Sequence, residues 1–112
     1  MSIKMKIRSP WSGEEEVTIS KTKYAKGGLA IRLMCFEDGF EEPYAMLTVN
    51  LKKVPEGCAY VDTNNLPYAE DFIMKYKLGK KVLGQDAVSG YCVYPLYHFD
   101  MDALDKYAKE RG

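Results

Sequence analysis

The sequence has one histidine, three scattered cysteines and no surplus of either charge. Each shortage excludes something. With His98 alone, a metal site would lean on cysteines and carboxylates, and Cys35, Cys58 and Cys92 form neither a CxxC pair nor a zinc-ligand cluster. An odd cysteine count without a framework points to the reducing cytoplasm, with the thiols acting as small buried hydrophobes. Sixteen basic and sixteen acidic side chains cancel, which removes bulk attraction to nucleic acid or anionic lipid. No apolar run approaches membrane-helix length, and the opening MSIKMKIRSPW lacks a signal-peptide core. Neither GxxxxGK[ST] nor GxGxxG occurs. No cofactor and no membrane partner are implied.

What is present describes a globular chain. At 112 residues there is room for one domain, residues 1–112, burying roughly 65% of its unfolded surface. A hydrophobic share of 46% against 29% charged residues is too apolar for disorder. Nine tyrosines suit half-buried sheet faces and contact surfaces, because the ring packs while the hydroxyl stays wet. Charge is segregated along the chain. Residues 1–36 hold seven basic and three acidic side chains, residues 37–74 two and eight, and residues 75–112 seven and five.

The first half reads as strands and turns. IKMKIR alternates apolar and basic residues before Pro10 and Trp11. EVTISKTKY places Val17 and Ile19 on one face and Thr18 and Ser20 on the other. Residues 25–28 supply a glycine turn, and the nearly all-apolar LAIRLMCF is the best central strand. Asp38-Gly39 marks a hairpin. In PYAMLTVNL, Ala45, Leu47, Val49 and Leu51 are expected on one face, and Tyr44, Met46 and Thr48 on the other. Pro55-Glu56-Gly57 then turns the chain into CAYVD, and connections this short make an antiparallel meander.

The second half changes period. Asn64 or Asn65 is expected to cap a helix with Pro67, Glu70 and Asp71 in its first turn. Tyr68, Phe72, Ile73 and Tyr76 form its apolar stripe, and Gly79 stands just beyond its end. KLGKKVLGQDAVSG reads as a basic loop, and YCVYPLYHF as a strand in which Pro95 marks an edge or a bulge. Asp100 caps a last helix with Met101, Leu104, Tyr107 and Ala108 inward and Lys109 and Arg111 at its C-terminal end. The predicted class is α+β: one antiparallel sheet of five to six strands, with two helices on one face, in the order βββββ-α-β-α.

Four stretches, KIRSPW, YAMLTVNL, AYVDTNNLPYAEDFI and SGYCVYPLYHFD, together resemble a family of small bacterial proteins carried by conjugative elements and phages and classified as a domain of unknown function. The likeness spans nearly the whole chain in order. It implies a mobile-element origin and roles such as transfer accessory, regulator or antagonist of host defence. It carries over no catalytic residue.

Four groups of residues are candidates for chemistry. Cys92 and His98 are the obvious thiol and base, but six residues of straight strand separate them by roughly 20 Å. A thiol and its base need about 3 Å. Cys58 or Cys35 could approach His98 from a neighbouring strand, though nothing in the sequence requires it. Asp62, Asn64 and Asn65, with Thr63 among them, either bind an anion or polar ligand at a helix N-terminus or only shape the turn and cap. Lys75, Tyr76, Lys77, Lys80 and Lys81 form a basic-aromatic patch suited to single-stranded nucleic acid, or else a solvated helix end and loop. Tyr91, Tyr94 and Tyr97 fall three apart and alternate faces, so they form no single stacking platform. Tyr91 and Tyr97 share a side with Phe99, while Tyr94 shares the other with Cys92, Leu96 and His98. One side must cover the core, and the other, if open, is a protein-binding surface with Tyr91, Tyr94, Tyr97 and His98 as its candidates.

These features favour a small non-catalytic interaction protein that binds a host or element protein. A nucleic-acid-binding accessory using the Lys/Tyr patch is the alternative. An enzyme ranks last, because no nucleophile–base pair, metal set or cofactor loop assembles from the residues.

Overall fold

The computed structural model describes residues 4–9, 13–24, 28–37 and 39–108. Alternation fixes the first strands. β1 (Met5–Ser9) buries Met5 and Ile7 and turns Lys6 and Arg8 outward. It pairs antiparallel with β2 (Gly13–Lys23), so that Lys6 faces Glu16 and Arg8 faces Glu14 across the strands. β3 (Leu29–Glu37) is central, between β2 and β4 (Phe40–Met46), as its apolar run predicts. Its Leu29, Ile31 and Leu33 enter the core, and Ala30 and Met34 are buried as well. The β3–β4 link pairs Glu37 with Phe40, with Gly39 at φ +83°; Asp38, Pro10, Trp11, residues 25–27, Lys109 and Arg111 lie outside the described residues.

The expected alternation of PYAMLTVNL fails at two points. Leu33 faces Ala45 but Met34 faces Pro43, so a bulge leaves Tyr44 without an opposite residue. Leu47 then ends β4: its N–H donates to the Ile31 carbonyl at 2.9 Å, and its carbonyl accepts from the Asp62 N–H at 2.9 Å. Beyond it the chain enters a second sheet. Its elements follow as β5 (Thr48–Val49), β6 (Cys58–Val61), α1 (Ala69–Lys75), β7 (Gly79–Lys81), β8 (Ala87–Ser89), β9 (Cys92–Tyr94), β10 (Leu96–Phe99) and α2 (Met101–Ala108). The second sheet runs β5-β6-β10-β7, and β8 and β9 form a separate hairpin. All strand pairs are antiparallel.

The α+β class with antiparallel sheets and two helices therefore holds, but the single sheet of five to six strands does not. Two four-stranded sheets and a hairpin replace it, and the order becomes ββββββ-α-ββββ-α. Three local causes account for the difference. Leu47 passes one strand from sheet to sheet. The expected basic loop contains β7 and β8 instead. Pro95 lacks a ladder donor and splits YCVYPLYHF into β9 and β10, which belong to different sheets.

One core lies inside both sheets. Met5, Ile7, Val17, Ile19 and Ile31 meet Ala59, Val61, Tyr97 and Phe99 there, with Phe72 and Ile73 of α1 and Leu104 and Ala108 of α2. Helix α1 contacts both β1 and β7, the outer strands of the two sheets, and the Tyr76 hydroxyl accepts the outward Lys6 N–H at 2.7 Å. Helix α2 lies against β2, tied by an ion pair between Lys21 and Asp105. Asp100 caps α2 as expected, accepting the Asp102 and Ala103 N–H groups at 3.0 and 3.2 Å. A smaller apolar cluster, with Cys58, Tyr60 and Leu96 of the second sheet and Ala87 of the hairpin, packs on that sheet's other side. Among the described residues no helix is long and apolar enough to cross a membrane.

Helix α1 starts later than its sequence signals. Tyr68 stands at the N-cap without a side-chain cap bond, and neither Asn64 nor Asn65 caps. At the other end it is Lys77 that takes the left-handed conformation, at φ 53°, and not Gly79. Gly79 instead sits in β7, where a Cβ would lie 2.8 Å from the His98 carbonyl oxygen. Its missing side chain permits the strand contact.

Candidate functional site

The two sides of β10 separate the predicted partner-binding residues. Tyr97 and Phe99 face inward and are buried, so Tyr97 is unavailable to a partner. The Tyr97 hydroxyl donates to Glu70 Oε2 at 2.6 Å, and burial, reinforced by that carboxylate, pushes its pKa up. Tyr94 is half-buried against the smaller cluster; burial and then its hydrogen bond with Cys92 raise its hydroxyl pKa. Tyr91 sits in the turn of the β8–β9 hairpin and is fully exposed. Only His98 of the four faces outward from β10. No common aromatic surface exists, because Pro95 puts the first and last tyrosines in different sheets.

The basic patch also divides. Lys81 lies 3.6 Å from Glu70, and Lys75 lies 4.0 Å from Glu14, so each has a carboxylate nearby. Tyr76 spends its ring on Phe72 and Tyr107 and its hydroxyl on β1. Lys77 and Lys80 remain, with no carboxylate within ion-pair distance among the described residues. The ladder sets Lys80 directly opposite His98, which places both on one face of the second sheet. Lys77, Lys80 and His98 share an open basin of about 940 Å³ with Met74, Phe99 and Met101. Met74 is 68% exposed and Met101 38%, so two flexible thioethers stand beside the cations. Asp100 also lines the basin, with its carboxylate engaged in capping α2. Positive charge therefore predominates over a partly apolar floor.

Cys58 is the residue directly opposite His98 on β6, so a thiol does reach the histidine's neighbourhood. The chemistry of that thiol is unfavourable for catalysis. Cys58 is buried in the smaller cluster, burial raises its pKa, and no hydrogen bond joins it to His98 among the described residues. A reactive thiolate calls for the opposite environment. Among the described residues no three of His, Cys, Asp and Glu come close enough to hold a metal ion.

The Asp62 cluster closes on itself. The carboxylate of Asp62 accepts the Asn65 N–H at 3.2 Å and the Asn65 side-chain amide at 2.9 Å, while Leu66 N–H donates to the Asp62 carbonyl at 3.0 Å. Asn64 is exposed and outside this ring. These are the bonds of a turn leaving β6. Nearby, the buried Thr48 hydroxyl lies 2.8 Å from the Tyr24 hydroxyl and accepts the Ile31 N–H at 3.1 Å, joining the two sheets. Burial raises the Tyr24 pKa.

Sequence reasoning missed Met74 and Met101 as a pair, because they stand at opposite ends of a segment that returns on itself through β7 to β10. It also missed Val88 and Val93, which face each other across the hairpin and are exposed. Their signal was the uncharged, β-prone run AVSGYCVY, and GY between its halves is a turn.

The fold is that of a small α+β protein with two antiparallel sheets around a shared core. The chain belongs to the domain-of-unknown-function family DUF4313, whose model matches residues 17–111, from β2 to beyond α2. This agrees with the resemblance of its sequence to a family of unknown function. No curated protein and no solved structure matches the chain.

Proposed function

We propose that the protein is a non-catalytic interaction module that binds a protein partner in the basin between α1, β7, β10 and α2. The observation that carries this reading is the convergence of unpaired Lys77 and Lys80 with His98 around exposed Met74 and Met101. Cations at the rim steer an acidic surface, and thioethers adapt to the apolar side chains it brings. Resemblance to proteins carried by conjugative elements and phages supports a host or element protein as the partner, met in the bacterial cytoplasm. Regulation of transfer or antagonism of host defence is then the process served.

The same three cationic or polar side chains support a second reading, a nucleic-acid-binding accessory. It is weaker, because Tyr76 is engaged elsewhere and the basin offers thioethers where bases would seek exposed rings. One experiment separates the two. Tagged wild type and the Met74→Glu/Lys80→Glu double variant are used to capture proteins from host lysate, with and without nuclease. The expected result is a protein that survives nuclease and is lost from the variant. Capture unchanged by the variant would sink the basin as the binding site, and capture abolished by nuclease would put the second reading first.

A further inference from the structure

The strand edges of this fold are not alike. The edge of β1 is covered by α1, where Tyr76 takes the Lys6 N–H. The edge of β4 carries Glu41, Glu42, Pro43 and a bulge, and that of β7 carries Lys80 and Lys81. Charges, proline and bulges are the devices that keep an edge from pairing with another chain. The hairpin has none of them: Ala87–Ser89, the Gly90-Tyr91 turn and Cys92–Tyr94 contain no charged residue and no proline. Gly90 at φ +63° opens a two-residue turn, which makes Ser89 and Cys92 the bonded pair. Ladder alternation then turns the N–H and C=O of Val88 and Val93 away from the hairpin. Pro95 directly follows β9 and removes the next donor on that side, which leaves β8 as the open edge.

The same hairpin exposes apolar side chains. Tyr91 is 106% exposed, Val88 73% and Val93 53%, with Leu83 at 82% in the segment leading in. Together they present on the order of 500 Å², taking about 200 Å² for the tyrosine and less for each aliphatic residue. Strand pairing at β8 would set the Val88 side chains of two copies side by side and shelter only part of that surface, so the contact falls short of about 1,000 Å² and is a weak one.

We propose that β8 pairs antiparallel with β8 of a second copy of this chain, forming a twofold homodimer through the uncharged hairpin. Pairing about Val88 is self-complementary, as an isologous contact must be. It sets Asp86 of one copy opposite Gly90 of the other, so no like charges meet. A net charge of zero adds no long-range repulsion between copies. The surface shares no residue with the basin and so leaves two basins free per dimer.

Sedimentation velocity of the full chain, from about 1 µM to about 1 mM, tests the assignment. The average mass should climb from 12.8 kDa toward twice that value. Val88→Lys and Val93→Lys, both at exposed positions, should hold it at the chain mass while circular dichroism shows the wild-type fold. A wild type that stays at the chain mass throughout the range overturns the proposal. So does dimerisation that survives both lysines, or assembly that continues past the dimer.

Discussion

Replacing Gly79 by alanine tests whether β7 and β10 are held as closely as the structure places them. The added Cβ would lie 2.8 Å from the His98 carbonyl oxygen and 3.0 Å from Phe99 Cα. Both are backbone atoms of β10, so no side-chain rotation relieves the contact. Strand β7 must retreat by about 0.5 Å to reach ordinary van der Waals separation, which strains the three ladder pairs it makes with β10. Overpacking of this kind costs about 1–3 kcal/mol, and each ladder hydrogen bond weakened adds up to about 1 kcal/mol. The expected loss is about 2–3 kcal/mol, or about 10 °C in melting temperature for a chain of this length. The sign is decisive. Gly79 does not have positive φ, and in open space the same substitution would stabilise by about 0.4–1 kcal/mol by restricting the unfolded chain. Equilibrium urea unfolding followed by far-UV circular dichroism measures the difference. A midpoint equal to or above wild type, at unchanged m-value, would refute the close packing of β7 on β10.

Two further outcomes follow from buried hydroxyls. The folded state raises the Tyr97 pKa above its unfolded value near about 10, so above that pH the unfolded chain has released a proton that the folded chain still holds. Stability therefore falls as pH rises. Tyr97→Phe should lose about 1 kcal/mol at neutral pH and show a flatter decline in melting temperature between about pH 9 and 11; parallel alkaline limbs would count against the burial of this hydroxyl beside Glu70. Thr48→Val keeps the shape but leaves the Ile31 N–H without its acceptor, which should cost about 1–3 kcal/mol by thermal unfolding, with Thr48→Ser close to wild type. A valine variant as stable as wild type, with a serine variant that loses stability, would show that the methyl group, and not the hydroxyl, matters.

Periodicity read much of the first sheet, because β1 buries alternate residues and β3 is apolar on both sides, although in β2 Thr18 is buried along with Val17 and Ile19. It read most of α2 for the same local reason, since Asp100 caps and Leu104 and Ala108 point inward, but Met101, expected inward as well, is exposed at the basin. It failed where tertiary contacts override the local pattern. Leu47 and Val49 share a side in an ideal strand, yet Leu47 belongs to the main core and Val49 to the smaller cluster, since the strand changes sheets between them. The lysines of β7 read as loop because a short edge strand needs no alternation of its own. Pro95 was visible, but its effect, dividing one β-prone run between two sheets, depends on β6 and β7 being ready to receive β10. The basin was legible only in pieces. Lys77, Lys80 and His98 were each conspicuous in the sequence, whereas the cross-strand register that joins Lys80 to His98 is set by a turn and strand far apart in the chain.

Leu47 also bears on how the molecule comes apart. Its amide is held by Ile31 in the first sheet, and its carbonyl holds the amide of Asp62 at the margin of the second. Neither sheet can open along this line without breaking a backbone bond that belongs to the other. Fraying that begins at β8 or at the end of α2 can proceed locally, but it stops at this stitch. In amide hydrogen exchange, Leu47 and Asp62 should therefore sit among the slowest protons and share one opening free energy, that of the whole chain. The two sheets are distinct in topology yet joined in energy, and the residue that joins them is one that the hydrophobic pattern alone would have assigned to the middle of an ordinary strand.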